Sequence, residues 1–262
     1  MLFRSVSQSR RLFPSHDIGG DGTKTLNEDR GLIRYLLRHR HTTPLEMVEF
    51  KFCCKMPIFI ARQWIRHRTA NVNEYSGRYS LIKDEYYLPE IENVRKQSKT
   101  NKQGGNELSE FKDAEAFVLD LEEKCKLAYI NYSDSIELGI SREQARMFLP
   151  LNYYTEWYWK IDLHNLLHFL ALRCDSHAQQ EIQVYGNAML ELIKPVVPIT
   201  IEAWEDYHPM RGGMLLTKLE IDCIMKSMKY QEIDTNKISN DRERKEFENK
   251  LHRLGLCGVN MT

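Results

Sequence analysis

Hydrophobic residues recur at helical spacing over three long stretches of the chain. The first predicted helix covers residues 27–40 and the second covers 113–138. The third and longest is predicted from about 162 to 194, where Pro195 stops it. Its apolar stripe is formed by Leu163, Leu167, Leu170, Cys174, Ala178, Tyr185, Met189 and Leu192.

One segment shows a different period, because apolar and charged residues alternate from Met47 to Lys55. This alternation predicts a strand with one buried and one wetted face. Pro57 fits the first turn of a following helix that ends near Arg68. A half-buried strand among long helices favours an α+β fold, with an antiparallel sheet packed against those helices.

Polar stretches divide the chain into regions. Residues 1–24 form a divergent lead-in that we expect to be flexible, and 25–225 are predicted to form one folded domain. Within it, residues 93–110 are rich in Lys, Gly, Asn and Gln and indicate a flexible excursion. Residues 226–262 are predicted to be a charged helical tail.

The composition is that of a globular protein without a strong overall charge. The 262 residues are 42% hydrophobic, which is enough to bury a sizeable core. Lys plus Arg and Asp plus Glu number 37 each, so we expect no general attraction to nucleic acid or to an anionic membrane. No apolar run reaches the ~18–20 residues of a membrane span. Any bound anion must therefore be held by a local cluster.

The six cysteines show no CxxC pair and accompany no secretory signal. This pattern predicts reduced thiols and a cytoplasmic protein. Residues 1–14 carry arginines and serines without an acid, a composition shared by mitochondrial transit peptides and by ordinary disordered termini. We favour the second interpretation, because such termini are common.

The segment from Arg62 to Tyr79, RQWIRHRTANVNEYSGRY, contains four arginines and a histidine. Guanidinium groups donate paired hydrogen bonds to phosphates and to the edges of heterocycles, so the segment could hold a nucleotide. Gly77 would let the backbone approach a ligand closely. Composition alone leaves two alternatives open, a solvated basic surface and a nucleic-acid binding module that stacks bases on Tyr75 and Tyr79.

The order of residues in this segment is more specific. Arg66, His67 and Arg68, followed after seven residues by Ser76, resemble the RHR-x7-S signature of the flavin-dependent thymidylate synthase (ThyX) family. Three further segments resemble the family in the right order: HTTPLE at 41–46, ARMFLPLN at 145–152 and LALRCDSHAQQEIQ at 170–183. The resemblance covers roughly residues 25–205.

The resemblance implies a homotetramer with active sites between its subunits. It implies reductive methylation of deoxyuridylate (dUMP) to thymidylate (dTMP), with 5,10-methylenetetrahydrofolate as the carbon donor. NADPH would be the reductant, acting through FAD. The chain lacks a GxGxxG fingerprint for nicotinamide, so NADPH would visit the flavin transiently. A structural oligomer that has lost the chemistry is a further alternative.

The resemblance also implies roles for individual residues. Arg173 would be catalytic, because a guanidinium at the pyrimidine edge stabilises uracil ionised at N3 and activates C5. Arg146 would reach dUMP from a neighbouring subunit. The residues expected at dUMP are Gln63, Arg66, Glu74, Tyr75, Ser76, Gly77, Arg78, Arg146 and Arg173. Those expected at the flavin are Thr43, Glu46, Arg66, His67, Arg68, Glu74, Asp162, His164 and His168.

Several neighbours of these residues allow other interpretations. Cys174 lies on an apolar stripe, and we expect a small core residue there rather than a nucleophile. His164 and His168 have the spacing of metal ligands, but no Glu follows His164 as in zinc proteases, so no metal is expected. The family commonly has Asn and Arg at the places of Asp162 and His164, which weakens those two assignments.

His177 lies four residues after Arg173, and Glu181 lies four further on. On a continuous helix both would face the same side as the arginine. We expect them to orient Arg173 or to cap a subunit contact, while a buried and satisfied histidine is an equal alternative. The lead-in from Phe3 to Asp21 lacks the small apolar strand that the family usually has, so no flavin contact is assigned there.

Overall fold

The structure is a computed structural model that describes residues 26–97, 105–208, 218–219, 221, 235–238 and 240–253. The chain divides into two compact units, Met1–Gly213 and Met214–Thr262. The predicted lead-in at 1–24 lies outside the described residues. In the described part of the chain, no helix is long and apolar enough to cross a bilayer.

The first unit contains helices and strands in mixed order. In chain order these are α1 (Leu26–Arg38), α2 (Thr43–Glu46), β1 (Glu49–Pro57), α3 (Ile58–Trp64), β2 (Ala70–Glu74), β3 (Arg95–Gln97), β4 (Gly105–Leu108), α4 (Phe111–Glu137), α5 (Arg142–Ala145), β5 (Tyr154–Asp162), α6 (Leu163–Arg173), α7 (Gln180–Ile193) and α8 (Pro198–Tyr207). In the second unit, α9 (Asp241–Arg253) is a charged helix.

An antiparallel sheet of three strands, in the order β1-β5-β2, forms the centre of the first unit. The register pairs Phe52 of β1 and Val72 of β2 with Trp159 of β5. The predicted strand is confirmed in β1, where Phe50 and Cys54 are buried between exposed neighbours. Together with the long helices, this sheet confirms the predicted α+β class.

The sequence prediction missed the central strand β5. Its residues alternate, because Thr155, Trp157, Trp159 and Ile161 are buried while their neighbours are more exposed. Trp159 packs against Phe169 of α6, with 5.0 Å between their ring centroids. The ring centroid of Trp64 in α3 also lies 5.0 Å from that of Phe169. The core therefore joins the sheet to helices α3 and α6.

The predicted single helix over 162–194 is wrong, because the chain forms α6 and α7 with a turn between them. Asp175 closes this turn, since its carboxylate accepts the backbone N–H of His177 at 2.8 Å. Its carbonyl accepts the N–H of Ala178 at 3.0 Å. A local side-chain bond of this kind competes with the helical bonds of the backbone. The helices predicted over 27–40 and 113–138 are confirmed as α1 and α4.

Two other segments differ from their predictions. The helix after Pro57 ends at Trp64, so residues 66–68 lie in the connection to β2 rather than on a helix. Strands β3 and β4 pair as a two-stranded antiparallel sheet at the two ends of the predicted excursion. Residues 98–104 between them lie outside the described residues.

Candidate active site

Arg173 is the last residue of α6, and its side chain contacts the connection that follows α3. The guanidinium Nε donates a hydrogen bond of 3.1 Å to Nε2 of His67, a residue 106 positions earlier in the chain. The His67 ring also packs edge-on against Phe169, with 4.9 Å between centroids, and lies 6.0 Å from the ring of His168. The fold therefore unites residues from two of the sequence segments singled out above.

The surroundings of His67 keep its imidazole neutral. Burial, followed by the positive charge of Arg173 and the neighbouring His168, lowers the pKa of His67 to about 4. Burial also lowers the pKa of Arg173, but a guanidinium remains charged at neutral pH. A neutral imidazole can accept the bond from Arg173 at Nε2 when its own proton is on Nδ1. The pair thus orients the guanidinium without cancelling its charge.

This geometry predicts an unusual titration for His67. Its imidazole should titrate near pH 4, and the Arg173→Ala change should raise that pKa without restoring an ordinary value, because burial is the larger cause. The folded pKa lies below the unfolded one, so the unfolded state binds the proton first and the stability of the protein should fall as the pH decreases from about 6.5 towards 4. NMR of ¹⁵N-histidine-labelled protein measures this, and an unperturbed His67 titration near pH 6.5 would contradict it.

A second cluster is built on the turn that follows β2. The carbonyl of Ser76 accepts the backbone N–H groups of Tyr79 and Ser80, at 3.2 and 3.0 Å, and its hydroxyl accepts that of Arg78 at 3.3 Å. Gly77 is buried within this turn, and a Cβ there would lie 2.9 Å from Cδ1 of Ile82. A larger residue at this position would therefore require the end of the Ile82 side chain to move.

Three arginines surround this turn. Arg78 donates from Nε to Glu143 at 2.9 Å, and Arg142 donates to the carbonyl of Tyr79. The side chain of Arg146 lies beside Gly77, because a Cβ on that glycine would be 3.5 Å from its Cδ. Arg142 was not among the residues predicted from the sequence. It is the first residue of the short helix α5, and the ARMFLPLN segment begins at the last residue of that helix, Ala145. The cluster is suited to a phosphate, because guanidinium forks match phosphate oxygens.

Two further predicted residues have different surroundings. Glu74 accepts a hydrogen bond of 2.7 Å at Oε1 from the hydroxyl of Thr155 on the central strand. Gln63 of α3 has a buried Oε1 that finds no hydrogen-bond donor among the described residues. A buried acceptor without a partner is costly, and binding a ligand is one way to satisfy it. Tyr75 donates its hydroxyl to the carbonyl of Leu81 at 2.7 Å, which secures the turn.

Strand β2 separates the two clusters within one chain. His67 precedes this strand and Ser76 follows it. A strand rises ~3.3 Å per residue, so the four steps from Ala70 to Glu74 span roughly 13 Å. The two clusters therefore lie at opposite ends of this strand within one chain.

The residues predicted to contact flavin are distributed over several elements of the first unit. Arg66 and Arg68 are exposed in the connection after α3, and Thr43 and Glu46 are exposed on α2, which packs against α6. His164 is half-buried and His168 is exposed on α6. The described residues contain no group of three His, Cys, Asp or Glu side chains that could hold a metal.

Asp162 has a clear structural role at the start of α6. One carboxylate oxygen accepts the backbone N–H of Asn165 at 2.9 Å, and the other accepts its side-chain amide at 2.8 Å. This is an N-cap, which satisfies an otherwise unpaired N–H of the first helical turn. Both oxygens are thus engaged by α6 itself.

His177 and Glu181 take partners other than Arg173. The exposed His177 ring lies 2.8 Å from the carboxylate of Asp175. Glu181 accepts the hydroxyl of Tyr87 at 3.3 Å. The expectation that they orient the arginine assumed a continuous helix, so it fails with the break between α6 and α7. The position of Cys174 agrees with a packing residue, since its sulfur faces Gly186 of α7.

Comparison with known proteins gives matches over most of the chain. A family described as thymidylate synthase complementing protein matches residues 4–199. A flavin-dependent thymidylate synthase of Dictyostelium discoideum is 56% identical over 235 residues, covering 90% of this chain and 75% of the relative. One from Rickettsia bellii is 54% identical over 215 residues, covering 77% and 73%.

The fold also has solved counterparts. A UMP/dUMP methylase, PolB from Streptomyces cacaoi, bound with 5-Br dUMP, superposes with a TM-score of 0.69 at 30% identity. The alignment covers 78% of this chain and 92% of that one. A second structure of the same methylase, bound with 5-Br UMP, matches equally well, with a TM-score of 0.69.

Proposed function

The chain belongs to the thymidylate synthase complementing protein family, which includes the flavin-dependent thymidylate synthases, and we propose how its residues carry out that activity. It is an enzyme that methylates deoxyuridylate to thymidylate with the help of a flavin. The observation that supports our account of the chemistry is the hydrogen bond from Arg173 to a neutral His67. This bond holds the positive charge of Arg173 beside the RHR segment at 66–68.

The flavin is FAD in this proposal. When bound, FAD would supply the two electrons, taken from NADPH, that reduce the one-carbon unit of methylenetetrahydrofolate to a methyl group. The donor set fits such a molecule, because the exposed guanidinium groups of Arg66 and Arg68 suit a diphosphate. Asp162 contributes less than expected, since its oxygens cap α6. The residues that would hold FAD are Thr43, Glu46, Arg66, His67, Arg68, Glu74, His164 and His168.

The residues of the turn after β2 hold the nucleotide phosphate. Arg78, with the hydroxyl of Ser76 and with Arg146, binds its oxygens, and Arg78 gives up its contact with Glu143 as it does so. Gln63 and Arg66 position the sugar and base, and the free Oε1 of Gln63 takes a donor from the ligand. Phosphate binding of this kind fixes the orientation of the uracil ring.

Arg173 acts on the uracil. Its guanidinium stabilises the base when N3 loses its proton, and the extra electron density makes C5 a nucleophile towards the methylene carbon. His67 remains neutral and keeps Nε of the arginine engaged, so the terminal N–H groups face the base. No cysteine is needed to activate the ring. In balance, dUMP, methylenetetrahydrofolate, NADPH and a proton give dTMP, tetrahydrofolate and NADP⁺.

We place each active site between subunits of a homotetramer. The position of the two clusters supports this, because within one chain the phosphate cluster and the His67 partner of Arg173 lie at opposite ends of β2. The surface of α4 supports it as well. Phe117, Leu127 and Ile130 lie on this helix, and each has at least half of its surface exposed in the single chain. Apolar surface of this extent on one helix is typical of subunit interfaces.

A charge placed on this surface should break the assembly. The double substitution Leu127→Glu/Ile130→Glu would bury unpaired carboxylates in the interface, at a cost of several kcal/mol each. We expect light scattering to report a smaller particle and the rate of thymidylate formation to fall at least tenfold. Leu127→Met/Ile130→Met keeps the volume and should keep the wild-type mass. A tetramer that survives the glutamates, or a wild-type monomer with full activity, would contradict the proposed assembly.

The activity itself is tested in cells and by colour. A thymidine-requiring bacterium that expresses this chain should grow without thymidine, and the purified protein should be yellow. A nucleic-acid binding module would be colourless and would not support growth. A structural oligomer without the chemistry would not support growth either. Failure of growth with a folded and colourless protein would reject the proposed function.

A further inference from the structure

Helix α7 passes unusually close to the end of α6 at Gly186. A Cβ placed on this buried glycine would lie 3.0 Å from the sulfur of Cys174. It would also lie 3.3 Å from the carbonyl carbon of Arg173 and 3.4 Å from its Cβ. Carbon atoms in ordinary contact are ~3.5–4.0 Å apart. Any side chain at position 186 therefore presses on the backbone of Arg173.

Helix α7 is held in place by contacts on its other sides. Tyr185 donates its hydroxyl to the carbonyl of Lys55 at 3.0 Å, and its ring lies 5.7 Å from that of Trp64. At the first residue of the helix, Gln180 donates to Asn93 at 2.9 Å. These bonds resist a withdrawal of α7 from α6. Added volume at Gly186 is therefore accommodated by the end of α6.

The end of α6 can yield more easily, because Arg173 is its last residue. One last helical bond follows, from the backbone N–H of Cys174 to the carbonyl of Leu170 at 2.9 Å, and the chain then leaves the helix in the turn closed by Asp175. The guanidinium lies at the tip of a long side chain, so a shift of the backbone changes its position relative to His67. The close contact between α7 and α6 at Gly186 thus determines the position of the Arg173 guanidinium.

We infer that Gly186 is a positioning residue for Arg173. Only glycine lets α7 approach the last turn of α6 this closely, and this separation directs the guanidinium at the uracil. This inference rests on the proposed role of Arg173. A reactive group that is misplaced by ~1 Å can lose about a hundredfold in rate. A methyl group at Gly186 requires a smaller shift, so Gly186→Ala should slow thymidylate formation about tenfold.

The experiment compares two rates per bound flavin, so a lower yield of folded protein does not affect the result. In Gly186→Ala, thymidylate formation should fall while NADPH consumption in the absence of dUMP stays at the wild-type rate. Gly31→Ala is the matched control, because a Cβ on Gly31 meets nothing within 4 Å. It should change neither rate. If Gly186→Ala gives no folded protein, Cys174→Val, which adds volume at the same contact, takes its place.

Two further measurements separate positioning from a general loss of stability. Adding Cys174→Ala to Gly186→Ala removes the shortest contact. The double variant should form thymidylate at least threefold faster than Gly186→Ala alone. The NMR titration of His67 should also move to a higher pH in Gly186→Ala, because its partner Arg173 is displaced. A wild-type rate, or an unchanged His67 titration, would overturn the inference. A wild-type protein that forms no thymidylate would instead reject the proposed function.

Discussion

Replacing Arg173 by alanine should lower the rate of thymidylate formation by about 10²–10³-fold, because a preorganised charge at a site of developing negative charge commonly contributes that much. The guanidinium is half-buried and is bonded to His67 at 3.1 Å, so it needs little rearrangement when the uracil ionises. Steady-state assays with saturating dUMP measure kcat directly. NADPH consumption without dUMP should persist, since that reaction does not use the uracil.

Cys174 provides the control for this prediction, because it is the neighbouring residue and the obvious alternative nucleophile. Its sulfur packs towards Gly186, so Cys174→Ala should retain most of the activity. Arg173→Lys should fall between the two, since an ammonium keeps the charge but lacks the fork and the Nε that bonds His67. Loss of activity in Cys174→Ala with survival in Arg173→Ala would reverse the proposed mechanism.

Replacing Arg78 by alanine should raise the KM for dUMP by about 10–150-fold, the equivalent of a charged hydrogen bond of roughly 1.5–3 kcal/mol. The phosphate does not change during the reaction, so the contact stabilises ground state and transition state alike, and kcat should change far less. Titration of the protein with dUMP and assays over a range of dUMP concentrations measure the two quantities.

The partner of Arg78 offers a sharp control. Glu143 accepts from Arg78 at 2.9 Å and competes with the phosphate for the same guanidinium. Glu143→Gln should therefore leave the KM for dUMP unchanged or lower it. Deoxyuridine, which has no phosphate, should bind the Arg78→Ala and wild-type proteins equally weakly. If deoxyuridine loses as much affinity as dUMP, Arg78 does not act on the phosphate.

The sequence was informative where the residues of one element carry a clear period. Strand β1 and helices α1 and α4 were predicted from such patterns. Strand β5 was missed because Tyr154 and Tyr158 are aromatic residues on its more exposed face, so the buried alternation of Trp157 and Trp159 does not stand out. The break after Arg173 was missed because apolar residues continue at helical spacing on both sides of the turn that Asp175 closes.

The site could be located from sequence only in part. The order of RHR and Ser76 identified the family, and the structure places Arg146 beside the turn that carries Arg78. The bond between Arg173 and His67 and the contact at Gly186 join residues far apart in the chain. Such contacts depend on how helices pack, and no local pattern encodes them. The two oxygens of Asp162 likewise serve α6, which a ligand-based assignment does not reveal.

The most direct test of the account follows the product itself. Purified, flavin-loaded protein is mixed with dUMP, methylenetetrahydrofolate and NADPH, and thymidylate is quantified for the wild type, Cys174→Ala and Arg173→Ala. We expect thymidylate in amounts well above the enzyme concentration from the first two proteins and almost none from the third. Absence of thymidylate from the folded wild type, or its full production by Arg173→Ala, would contradict the account.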